Sequence, residues 1–247
     1  LVGHAAGKLL DKLGSSFRTH VIERWSRRRA EAFFAQFCDE VSRRRGDGTL
    51  PGLEEDLTKI VEDEVCSEVL FDAYRRVSLT KSKSLGPRII GLLTAQLVVE
   101  ARVASDVEDV IFDVAETLTD EELIAFAAFV REERANSATG GDNAADGLRI
   151  RWYLEQVDSN SPSDDYVSTG PLDLEDCLGR WAVKMKAYGI IKDDVHERER
   201  EYSPDAESHS LDSGTVREIA WWIYVPAEYF KLVELIESAR CSEDNAA

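Results

Sequence analysis

The sequence predicts a mainly α protein, with an N-terminal multi-helix domain followed by a small α+β module, and three observations carry that expectation. Apolar residues recur at spacings of three and four up to position 135. A segment of Gly, Asn, Asp and Ala without a large apolar side chain then interrupts the pattern. Beyond it, a β-branched and aromatic run stands among helical ones.

The elements follow in order. From Thr19, the residues Val21, Ile22, Trp25, Phe33, Phe34, Phe37 and Val41 form one helical stripe, which Gly46, Asp47 and Gly48 end. Pro51 suits the first turn of the next helix. There Leu53, Leu57, Ile60, Val61, Val65, Val69, Leu70, Ala73 and Val77 continue without interruption and predict a single long helix. The segment from Ser82 to Gly86 breaks it, and Pro87 starts another in which Ile89, Ile90, Leu92, Leu93, Leu97 and Val98 cover a broad arc. So wide an apolar surface belongs to a central, buried helix. Two capping boxes open the following helices, Ser105 with Glu108 and Thr119 with Glu122, each pairing two otherwise orphan backbone N–H groups.

ANSATGGDNAADG, from Ala135 to Gly147, reads as a linker. Leu148 to Val157 is a short helix or strand, counted as helix in the expected order. A polar loop runs from Asp158 to Gly170, and Pro171 to Tyr188 reads as one helix closed by Gly189 at its C′ position. Ile190 to Tyr202 is a charged, strand-capable run. VREIAWWIYV, from Val216 to Val225, reads as a buried strand after a polar loop from Ser203 to Gly214, and Pro226 starts a last helix. The expected domains are thus an all-α part over 1–135, a linker over 136–147, an α+β module over 148–240 and a flexible tail over 241–247.

LGRWAVKMKAYGII, running into a hairpin and a closing helix, resembles the second half of a winged-helix module, and the resemblance covers Leu148 to Arg240. It implies a recognition-type helix whose Arg180, Lys184 and Lys186 meet phosphate, with Arg198 and Arg200 extending that surface into the wing. The middle helix of such a module would fall within 158–170, where no apolar periodicity exists. The helical half followed by this tail also resembles bacterial helical proteins of the abortive-infection kind, and hence implies a bacterial source.

Charge separates function classes. The 247 residues carry 30 Lys+Arg against 48 Asp+Glu, a net charge of -18, which disfavours a polyanion-wrapping surface and leaves only local contacts with nucleic acid. The hydrophobic fraction of 43% is that of a chain with a buried core. The charge is segregated: residues 1–45 sum to +5, 46–148 to -13 and 149–247 to -10. Arg27, Arg28 and Arg29 beside Trp25 are therefore candidate partner contacts, together with Arg43 to Arg45. The alternative is that these arginines sit at a helix C-terminus and pair with the chain's own acidic helices.

Motifs for chemistry are sparse. GHAAGK, from Gly3 to Lys8, has three residues between its glycines where a phosphate loop needs four, and Leu9 stands where Ser or Thr would bind magnesium. His4, His20, His196 and His209 share no metal-ligand spacing. Cys38, Cys66, Cys177 and Cys241 are scattered, as expected in a reducing, cytoplasmic compartment. Asp193, Asp194 and Glu197 are the best metal candidates, but along a strand Glu197, Glu199 and Glu201 share one face with Val195 while His196, Arg198 and Arg200 take the other, which reads as a solvated hairpin. LTDEELIAFAAFV resembles the last helix of small c-type cytochromes, yet no CxxCH is present for covalent haem. The longest apolar stretch, Ile89 to Val99, is too short to span a bilayer. The chain opens on Leu1, as a fragment or processed chain would.

Together these readings lead to the expectation of a non-enzymatic interaction or regulatory protein, without cofactor or metal, that binds a protein partner or self-associates through its helical domain. The alternative is a DNA-binding regulator acting through Arg180, Lys184 and Lys186.

Overall fold

The computed structural model describes residues 24–45, 50–138, 147–158, 173–202 and 214–244. The GHAAGK segment, His4, His20, His209, the polar loops over 159–172 and 203–213, and most of the expected linker lie outside these residues. The protein is mostly helical with one small antiparallel sheet, and it divides into two compact units: one of 1–129 with 228–247, the other of 130–227.

The helical unit begins with α1 (Arg24–Arg45), whose Phe33, Phe34, Phe37, Cys38 and Val41 are all buried. The expected long second helix is in fact two, α2 (Leu50–Glu62) and α3 (Glu64–Leu79). Asp63 makes the break. Its backbone is extended and its carboxylate accepts from the Cys66 N–H at 2.8 Å, so a side chain takes over one orphan donor and starts a new helix. Apolar periodicity runs across such a junction unchanged.

At the centre stands α4 (Leu85–Val99), buried on nearly every side, against which α1, α3, α5 (Asp106–Thr117) and the last helix all pack. Gly91 lets α1 approach closely. A Cβ there would lie 2.7 Å from the Phe33 carbonyl oxygen and 3.3 Å from the Phe37 nitrogen. Phe37 stacks on Phe33, Phe34 meets Phe33 edge to face, and Phe34 also meets Tyr74 of α3 at 5.8 Å between ring centres. Both capping boxes form. Glu108 accepts from the Ser105 N–H at 2.9 Å to open α5, and Glu122 accepts from the Thr119 N–H at 2.9 Å to open α6 (Asp120–Ala138). This last helix carries on through Asn136 to Ala138, into the expected linker.

In the other unit, Gly147–Asp158 is a strand, β1, rather than the helix of the expected order. The predicted helix over 171–188 is divided at Gly179 (φ 94) into α7 (Leu174–Leu178) and α8 (Arg180–Ala187), because the positive φ there cannot continue a helix. Gly189 (φ 74) closes α8, with the Ile190 N–H bonded to the Met185 carbonyl at 3.0 Å. β2 (Lys192–Tyr202) and β3 (Gly214–Pro226) complete a sheet of order β1-β3-β2, both outer strands antiparallel to the central β3. Trp221, Ile223 and Val225 of β3 are buried on one face, as are Trp181, Ala182 and Met185 of α8.

The final helix, α9 (Phe230–Asp244), departs from the expected grouping. It packs against α4 and belongs to the helical unit, so the other unit, which begins within α6 at Val130 and ends at Ala227, is inserted ahead of it. It also runs through Cys241 to Asp244, where a flexible tail was expected.

Candidate functional site

Three ionic clusters staple the helical unit. One centres on Glu108, whose side chain is 6% exposed. Besides its capping bonds, it accepts from Arg102 through both guanidinium nitrogens at 2.6 and 2.8 Å, and from the Lys231 ammonium of α9 at 2.7 Å. These donors, Arg102 first, hold its carboxyl well below the usual range despite burial, and the same contact holds Arg102 more firmly charged. One carboxylate thus fixes the start of α5, the connection before it, and the chain's last helix.

The second cluster answers the question posed by the basic helix end. Burial alone would raise the Glu40 carboxyl, but bonds from Arg43 (2.7 and 2.8 Å) and Arg44 (2.6 Å) hold it below its ordinary value. Arg44 also reaches Glu100 at 3.8 Å, and Arg45 pairs with Asp56 of α2 at 2.5 Å. Arg43 to Arg45 therefore face the chain's own acids. In the third cluster, Arg76 of α3 bridges Asp72 at 2.9 Å and Asp113 of α5 at 2.5 Å, with its guanidinium 5.4 Å from the Phe112 ring centre.

Of the first predicted trio, Arg27 lies in the first turn of α1 with its side chain outside the described ones. Arg28 is exposed, and Arg29 is half-buried with a buried Nε that meets no hydrogen-bond partner. In the sheet unit, Arg180 is 83% exposed and pairs with Glu175 at 2.9 Å, Lys186 pairs with Asp193 at 2.6 Å, and Lys184 is half-buried. The α8 cations are thus brought near one another on a single short helix, where Arg180 and Lys186 are engaged by acidic neighbours.

The metal candidates separate. Asp193 accepts from the Trp221 indole N–H at 3.3 Å and meets Lys186, while Asp194 stands 3.1 Å from His196. Among the described residues no group of three or more His, Cys, Asp and Glu gathers to hold a metal ion. Buried Cys38 has its thiol pushed up to about 12, and buried Cys66 to about 11, mainly by desolvation, so both are protonated at neutral pH; Cys177 and Cys241 are exposed. No helix among the described residues is long and apolar enough to cross a membrane.

Among the described residues stand two clefts of about 560 Å³ each. One lies in the helical unit, among Gln36, Glu40 and Arg43 of α1, Gln96 of α4 and Glu234 and Ser238 of α9. The other lies on the sheet, lined by Lys192, Asp193, Asp194, His196, Trp222 and Tyr224. Sequence reasoning missed both Glu108 as a hub and the aromatic pair Trp222 and Tyr224 as a surface. Its capping box marked Glu108, but nothing local pointed to Lys231; the alternation of β3 marked the tryptophans, but not their neighbours across strands. No family model, curated protein or solved structure matches this chain.

Proposed function

We propose that this protein is a non-enzymatic interaction protein that self-associates through its helical unit. The observation behind this reading is the outer stripe of α3, where Val65, Phe71 and Leu79 are 42%, 53% and 59% exposed; of the other exposed large apolar residues among the described ones, only Val103, at 66%, belongs to the same unit. Helical spacing puts exposed Glu68 and Arg75 among them. The stripe is self-complementary. Two copies of α3 crossing antiparallel between Phe71 and Asp72 set Glu68 of one against Arg75 of the other and bring Val65 next to Leu79, the reciprocal pairing that a two-fold interface requires. The interface covers apolar surface that water otherwise solvates. A reducing cytoplasmic setting belongs to the same reading, supported by four cysteines that are all free thiols.

Light scattering at several concentrations tests it. The expected result is a dimer that Leu79→Glu converts to monomer, and that Glu68→Arg weakens at least tenfold while Glu68→Arg combined with Arg75→Glu recovers. A monomer at every concentration, with helical content intact, overturns the reading.

A regulator acting on duplex DNA is the second reading. It draws support from the strand order β1-β3-β2 with two helices between β1 and β2, and from the exposed Arg180 at the start of α8. The pairing of Arg180 and Lys186 with acidic neighbours weighs against it.

A further inference from the structure

The sheet sorts its charge by strand position. Along β2, the odd positions from 193 to 201 hold Asp193, Val195, Glu197, Glu199 and Glu201, and the even ones from 192 to 200 hold Lys192, Asp194, His196, Arg198 and Arg200. Alternate residues of a strand share a face and stand about 6.7 Å apart. The even set carries the cations. Its first members lie directly across from the aromatics of the central strand, Lys192 from Tyr224 and Asp194 from Trp222. On the other side of β3, the register sets Arg149 of β1 opposite Tyr224 and Arg151 opposite Trp222. Tyr224 thus has a basic residue across from it on both neighbouring strands, and Trp222 has Arg151 on one side and Asp194 on the other.

Burial distinguishes this face from its reverse. Trp221, Ile223 and Val225 are buried, whereas Trp222 and Tyr224 are only half-buried, and Lys192, Asp194 and His196 are exposed. These five exposed or half-buried residues, with Asp193, line the open cleft of about 560 Å³, a size that admits a planar ring with its sugar. Asp194 is opposed by His196 at 3.1 Å, and Glu218 stands across from Arg198. Asp194 and Glu218 are therefore each faced by a basic neighbour in space or in register.

We propose that this face of the sheet binds single-stranded nucleic acid, with bases stacking on Trp222 and Tyr224 and the phosphate backbone following the basic positions Lys192, Arg149, Arg151, Arg198 and Arg200. A linear series of cations beside aromatic rings suits a flexible polyanion with exposed bases; a duplex hides its bases inside the stack. The net charge of -18 confines binding to this local surface and makes it steeply salt-dependent.

The test is fluorescence anisotropy of the full chain with a labelled oligothymidylate of about 12 nucleotides, alongside an abasic strand and a duplex of equal length, at about 50 and 200 mM salt. The expected result is binding of the thymidylate that weakens with salt, falls about tenfold to a hundredfold in Trp222→Ala, and exceeds that of the abasic strand. Lys192→Glu, at an exposed position, is the second variant: it is expected to weaken binding and flatten the salt slope with the circular dichroism unchanged. No binding at low salt, equal binding of the abasic strand, or a Trp222→Ala protein that folds and binds as before overturns the proposal. So does duplex binding that Lys184→Glu abolishes, which would favour the α8 surface.

Discussion

The two units place their ion pairs differently. In the helical unit, Glu108 and Glu40 are almost wholly buried and each is held by two cationic side chains. In the sheet unit, Arg180 with Glu175 and His196 with Asp194 are pairs in which both side chains are at least half exposed. Both parts of the chain are rich in acids, so composition does not distinguish them. A buried carboxylate with several donors holds elements together, because removing one partner strands charge away from water. Exposed pairs contribute little to stability and remain free to exchange one partner for another. The division is one of emphasis: the helical unit also holds the exposed pair of Lys59 with Glu55, and in the sheet unit Asp193, paired with Lys186, is only 15% exposed.

Three experiments press on this contrast, and the tryptophans make them readable by unit. Four of the five tryptophans, Trp152, Trp181, Trp221 and Trp222, belong to the sheet unit and Trp25 to the helical one, so in a Trp25→Phe background the fluorescence follows the sheet unit while far-ultraviolet circular dichroism is dominated by the helices. The largest effect is expected from Phe37→Ala, which empties a fully buried position facing α4 and costs about 4 kcal/mol. The helical transition should fall while the tryptophan transition stays in place; a common shift would mean that both units unfold as one cooperative block.

Next comes Glu108→Ala, which leaves Arg102 and Lys231 without their common acceptor and is expected to destabilise the helical unit by about 2 to 3 kcal/mol. The pH dependence has a definite sign. A carboxyl held below its unfolded value, about 4.3 for glutamate, contributes its stability above that value and loses it as pH falls toward the folded one. Thermal melts of the wild type should therefore weaken on acidification below about pH 4, and Glu108→Ala should show a shallower decline. An unchanged acid slope would remove Glu108 from its role as hub. The smallest effect is expected from Asp193→Asn, which gives up the Lys186 pair and weakens the acceptor of the Trp221 indole; about 1 kcal/mol should appear in the tryptophan transition alone.

What was legible in the sequence follows from how far each interaction reaches. The two capping boxes were readable because donor and acceptor lie three residues apart, and the burial of α4 because its apolar arc is too wide to face solvent. The break at Asp63 was hidden, since a carboxylate capping Cys66 leaves the apolar stripe undisturbed. The break at Gly179 was hidden too, because a glycine signals a turn only where its φ must be positive. Leu148 to Val157 mixes apolar and basic residues in a pattern that suits helix or strand, and only pairing with β3 decides it. The candidate sites divide the same way. The alternation of charge along β2 was visible, but the aromatic positions beside it depend on the register with β3. Lys231 reaches Glu108 from 123 residues away, beyond any local pattern.

The placement of α9 bears on the order in which the protein can be completed during synthesis. The helices α1 to α6 emerge first, yet the helix that packs on α4, donates Lys231 to Glu108 and offers the Ala239 carbonyl to Arg88 at 3.1 Å emerges last, after the whole sheet unit. Until then the apolar flank of α4 awaits its cover. The first unit begun is therefore the last finished, and a ribosome pausing before Phe230 would hold a nascent chain whose sheet can close while its helical core stands open.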